Sequence, residues 1–110
     1  MRYLLFAALL IPASAWAQDA KNGERLFLRD GCYECHGYAG QGGRDGARIA
    51  STILSAQGLI KYVRKPAGAM PAYTDKVVTD QELTDIHAYL KTLPAPKPVK
   101  DIPLLKQLQN

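Results

Sequence analysis

The sequence predicts an all-α domain of three to five short helices. Three observations carry that expectation. No segment alternates apolar and polar residues with the period of two that a half-buried strand requires. Thr79-Asp80-Gln81-Glu82 has the spacing of a capping box, and Leu83, Ile86, Leu90 and Leu93 follow it as a helical stripe. Glycine and proline fall in clusters between the helical patterns, at 40–46, 66–71 and 94–103, and so keep each helix short.

In chain order, the first pattern is not structure. Arg2 gives a positive start, Tyr3 to Ile11 form a brief apolar run, and Ala15-Trp16-Ala17 offers small residues for cleavage. Residues 1–17 therefore read as an export signal, with a retained interfacial anchor as the alternative. The run is too short to span a bilayer, which takes roughly 20 residues. Removal would leave Gln18 to Asn110 in a periplasm, with a domain over 18–93 and a tail over 94–110.

Lys21 to Asp30 carries Gly23, Leu26 and Phe27, a short helix that Gly31 ends. Tyr38 to Gly46 holds four glycines and must be loop. Arg48 to Lys65 places Ile49, Ile53, Leu54, Leu59, Ile60 and Val63 at helical spacings, with Gly58 expected to divide it into two helices and Pro66 to close the second. The capping box opens the last helix, with Asp80 and Glu82 at its start and Lys91 at its end. Four prolines then forbid helix through the first half of the tail. Ile102, Leu104, Leu105 and Leu108 need a surface; packing on the domain itself is the preferred expectation and docking on a partner the alternative.

A chain of 110 residues has room for one small domain. The mature part would hold 13 basic against 10 acidic residues, a mild excess. It contains no dense basic run and no basic-aromatic interleaving, so nucleic acid is not an expected partner. The aromatics left to it are Phe27 and Tyr33, Tyr38, Tyr62, Tyr73 and Tyr89. A core this small often recruits a metal, a disulfide or a cofactor.

The chemistry concentrates at Cys32-Tyr33-Glu34-Cys35-His36, which holds both cysteines of the chain and one of its two histidines. As a disulfide the pair would close too short a loop to stabilise much. A thioredoxin-like centre needs a strand before the motif and a helix after it, whereas a helix precedes and a glycine loop follows. A zinc site needs four ligands, and the other histidine, His87, lies far away with no further thiol. The pattern Cys-x-x-Cys-His fits covalent haem attachment. Two thiols at that spacing reach neighbouring vinyl groups of one porphyrin edge, and the next residue lies under the ring. His36 is then one axial iron ligand. Met70, in KPAGAMPAYTD, is the expected second, because Pro66, Gly68 and Pro71 hold it on a loop rather than in a helix. Core filler is the alternative for Met70. His87 falls beside the last helix's apolar stripe and is expected at the surface or its boundary.

These residues resemble a small bacterial class I c-type cytochrome, monohaem and His/Met ligated, over about Asn22 to Leu93. The strongest elements are CYECH and AGAMPAY. The resemblance implies a small cytochrome c fold wrapped around one covalently bound haem c and its iron. It implies a crossing of first and last helices, with Gly23 and Phe27 meeting Ile86 and Tyr89. It also implies that Arg48 pairs with a haem propionate, a solvated arginine being the alternative. Members often have Gly-Pro after the glycine loop, where the proline carbonyl orients the proximal histidine. Here Gly46-Ala47 stands instead, which leaves that carbonyl open. Only 34 positions separate His36 from Met70, short for the family.

The expected function is one-electron transport rather than catalysis. Redox protein partners follow, either a periplasmic dehydrogenase, of which the chain could be a subunit, or an oxidase or reductase. Lys61, Arg64 and Lys65 are expected as a basic rim for acidic partners, with an ordinary solvated helix side as the alternative. If Met70 does not bind the iron, a haem peroxidase or gas-binding sensor is the other reading.

Overall fold

The computed structural model describes residues 18–108, so the signal expected over 1–17 lies outside the described residues. The order of elements is α1 (Ala20–Arg29), α2 (Cys32–His36), α3 (Ala56–Arg64), α4 (Asp80–Thr92), a 3-10 turn (Val99–Asp101) and α5 (Pro103–Gln107). No strand occurs among the described residues. None of these helices is long and apolar enough to cross a membrane.

The frame is the crossing of α1 over α4. Asp19 caps α1 by accepting from the Asn22 N–H at 2.9 Å. The helix buries Gly23, Leu26 and Phe27, with Leu26 and Phe27 wholly removed from solvent. A Cβ at Gly23 would run into the Asp85 carbonyl oxygen and come within 2.9 Å of Tyr89 Cβ. Only glycine lets the two backbones approach this closely. One turn on, the Phe27 and Tyr89 rings meet with centroids 5.4 Å apart at 58°, a favoured tilted geometry. The buried Asp85 carboxylate is satisfied here, accepting from Asp19 N, Asn22 Nδ2 and Gln81 Nε2 at 2.9–3.1 Å. Burying a carboxylate without such donors would cost more than the roughly 2–7 kcal/mol of an unpaired neutral amide or hydroxyl.

α4 starts where the sequence places it. Thr79 Oγ1 accepts from Glu82 N, and the Glu82 carboxylate accepts from Thr79 N at 2.8 Å. Glu82 also accepts from Arg29 at 2.8 Å, which holds its carboxyl below the usual range and ties the end of α1 to the start of α4. Leu83, Ile86 and Leu90 face a core completed by Leu59, Ile60 and Val63 of α3 and by Val78.

Two expectations are corrected. Residues 48–65 form one helix, not two. The chain from 48 to 54 is loop, Ser55 caps α3 by accepting from Gly58 N, and Gly58 sits inside the first turn, where its N–H is a capped donor. The second correction concerns the tail. Among the described residues α5 touches no helix of the domain; Leu104 and Leu108 are 68% and 77% exposed. Residues 94–98 form no helix, as the prolines require, and Leu104 and Leu108 do not pack back on the domain.

Candidate functional site

A cavity of about 1170 Å³ opens between α2, the 44–54 loop, the 67–73 loop and the core. It exceeds the roughly 300–1,000 Å³ of ordinary small-molecule sites. Its floor is apolar, with Phe27, Leu59, Val63, Val78, Leu83, Ile86 and Leu90. Cys32, Cys35, His36, Arg48 and Met70 all line it. The sequence-selected residues are thus brought to one place.

α2 presents the thiols and the imidazole. Gly31, in the left-handed region at φ +72°, ends α1 and turns the chain into α2. Cys32 is half-buried and Cys35 exposed, and the two are not bonded to each other. Burial, with the Asp30 carboxylate beside it, pushes the Cys32 thiol up to about 11. His36 Nδ1 donates to the Ala47 carbonyl at 2.5 Å. That assignment follows from chemistry, since a carbonyl can only accept, and it leaves Nε2 with its lone pair available. The orienting carbonyl that the sequence left open is therefore Ala47.

The glycine loop exists to place that carbonyl. Gly42 N donates to His36 O at 2.8 Å, and Gly43 N to Gly46 O at 2.9 Å. Gly46 packs on α2 so tightly that a Cβ would stand 2.6 Å from the Cys35 carbonyl oxygen. Gly42, at φ +78°, makes the turn that brings Arg48 close. A second run of the same loop is fastened to α4. Ser51 N donates to Leu90 O at 2.9 Å, Lys91 Nζ to Thr52 O at 3.1 Å, and Arg48 Nη2 to Pro94 O at 2.8 Å.

His87 belongs to this fastening, which corrects the expected surface position. It is buried, and its Nε2 donates to the Leu54 carbonyl at 2.8 Å. Its Nδ1 is buried without a partner. It does not line the cavity. The periodicity placed it beside the stripe correctly, but the 52–54 loop folds over that side, which no local pattern reveals.

Met70, which lines the same cavity, is half-buried on the 66–78 loop and packs against the core. Arg64, expected in a free basic rim, is engaged instead. Its guanidinium donates to Asp80 at 2.5 Å and to the Tyr73 carbonyl at 3.0 Å. Lys61 and Lys65 remain exposed beside Tyr62. Tyr73 was not singled out by sequence as a site residue; the aromatic three positions beyond Met70 was the available signal.

Among the described residues no cluster of three His, Cys, Asp or Glu side chains could hold a bare metal ion. The donor set is instead two thiols on one short helix, an oriented imidazole and a thioether around an apolar hollow. That set fits a covalently held porphyrin, and with the all-helical fold it defines a small c-type cytochrome. The model of the family described as Cytochrome C oxidase, cbb3-type, subunit III matches residues 18–90, and the chain belongs to that family. It accordingly carries covalently bound haem c with iron and transfers electrons. Compared with curated proteins and with solved structures, the chain finds no match.

Proposed function

We propose that the protein is an exported, monohaem, one-electron carrier whose iron is bound by His36 and Met70, with Cys32 and Cys35 as the thioether tethers. The observation that carries this reading is the cavity itself. An imidazole with one nitrogen committed to Ala47 lies on one wall and the thioether on another. Haem iron so held supplies a ferric–ferrous couple. The chain's contribution is to orient His36 through Ala47, to exclude water with the Phe27, Leu83 and Leu90 floor, and to keep Met70 near the ring. A thioether in the sixth position favours electron transfer and raises the reduction potential. Arg48, which lines the cavity and donates through Nη2 to Pro94 O, is the residue we assign to a propionate.

Export to a periplasm rests on the 1–17 pattern. The donor is a periplasmic dehydrogenase reached through the exposed tail, and the family's description makes an oxidase a natural acceptor. The reading is tested by the ferric absorption spectrum and carbon monoxide binding. Wild type should show the weak long-wavelength band of methionine–iron coordination and bind carbon monoxide poorly when reduced. Met70→Ala should lose the band and bind carbon monoxide readily. A wild type that already takes up the gas would point to a peroxidase or gas sensor instead.

A further inference from the structure

The loop that carries Met70 packs on the core at Met70, Tyr73 and Val78. Ala67, Gly68, Ala69, Pro71 and Ala72 are exposed, and a Cβ at Gly68 would meet nothing within 4 Å. Among the described residues, all three hydrogen bonds that join residues 66–78 to other elements fall on Tyr73. Its N–H donates to Val63 O at 3.1 Å, its carbonyl accepts from Arg64 Nη1 at 3.0 Å, and its phenol donates to Asp30 O at 3.0 Å. The first two fix the loop to α3. The third reaches the peptide that leads directly into Gly31 and Cys32.

We propose that Tyr73 is the positioning residue of the distal ligand. Its phenol bolts the Met70 loop to the segment that starts the haem-binding motif, so one hydrogen bond spans both sides of the cavity. The inference rests on the reading that Met70 binds iron. Tyr73 lies three positions from Met70, a lever of at most ~10 Å. Asp30 O lies just past the end of α1, where carbonyls have no helical partner, so the phenol fills a place the helix leaves open. Burial raises the phenol's pKa above its ordinary value, which keeps the proton on the donor. Arg64 is itself pinned by Asp80 at the start of α4, so the second tie is equally fixed. The thioether then stays near the iron because the Tyr73 ties add to the loop's core contacts and leave it no freedom to withdraw.

The experiment is the affinity of the ferric protein for imidazole, which must displace Met70 to bind. Apparent affinity scales with the fraction of molecules whose iron is open. Tyr73→Phe keeps the ring and removes only the donor, and it should tighten imidazole binding about fivefold, the effect of one net hydrogen bond. Arg64→Gln, which loses the tie to the Tyr73 carbonyl, should shift it in the same direction by less. Met70→Ala sets the uncompeted limit. A Tyr73 that only supports the fold would lower the melting temperature and leave imidazole affinity at 25 °C unchanged, and that result overturns the proposal. Imidazole affinity in wild type equal to that of Met70→Ala would instead sink Met70 ligation itself, and the Tyr73 role with it.

Discussion

The α1–α4 crossing and the walls of the cavity hold their shape by different means. The crossing is closed by its own side chains: Gly23 under the Asp85 carbonyl, Phe27 against Tyr89, and Asp85 with three donors. The walls at 37–54 and 66–78 are irregular chain. They are held through carbonyls, namely Ala47 to His36, Leu54 to His87, Thr52 to Lys91 and Asp30 to Tyr73. Helix packing supplies a frame whose geometry tolerates almost no change. Loops on that frame supply Met70 and the Ala47 carbonyl that orients His36 of α2, and they border a hollow lined by both. Division of labour of this kind puts rigidity in the floor of the cavity and adjustability in the loops around it.

Substitution of glycines separates the two regions most sharply. Gly23→Val should cost about 3 kcal/mol, since overpacking between two backbones has no way to relax. At roughly 4–8 °C per kcal/mol for a domain of this size, thermal denaturation should show the midpoint fall by more than 10 °C. Gly43→Ala, on a loop position where a Cβ meets nothing within 4 Å, should stay within about 0.5 kcal/mol of wild type. Equal losses at both positions would erase the distinction.

The legibility of the sequence follows the same line. The crossing was readable through the family resemblance, which assigns Gly23, Phe27, Ile86 and Tyr89 to it, whereas Thr79 and Glu82 announce the cap by themselves. CYECH was readable because its chemistry is contiguous. What sequence could not supply were contacts made by backbone carbonyls, which carry no residue identity. Ala47 is the orienting partner of His36 only because Gly42 and Gly46 turn the chain there. The burial of His87 and the engagement of Arg64 depend on loops folding over helix sides that local periodicity marks as open. The single α3 shows apolar spacing overruled by a serine cap, since Ile49, Ile53 and Leu54 serve the loop wall instead.

The tail gives the smallest expected effect on stability and a larger one on traffic. Among the described residues, deleting Pro98 to Asn110 removes no contact with the helices of the domain, so the melting midpoint should move by less than about 0.5 kcal/mol equivalent and the absorption spectrum should not change. Stopped-flow reduction by the physiological donor should slow, because Leu104 and Leu108 present the apolar surface a partner would cover. Donor kinetics identical to wild type would remove the tail from the docking surface.

The central claim is covalent: Cys32 and Cys35 hold a haem that completes a core too small to close alone. Intact mass of the purified protein, measured after denaturation and extraction with acidified organic solvent, addresses it directly. The polypeptide from Gln18 should retain the mass of one haem, and the Cys32→Ser, Cys35→Ser pair should lose it. Pigment that leaves the wild-type chain during extraction would contradict the account.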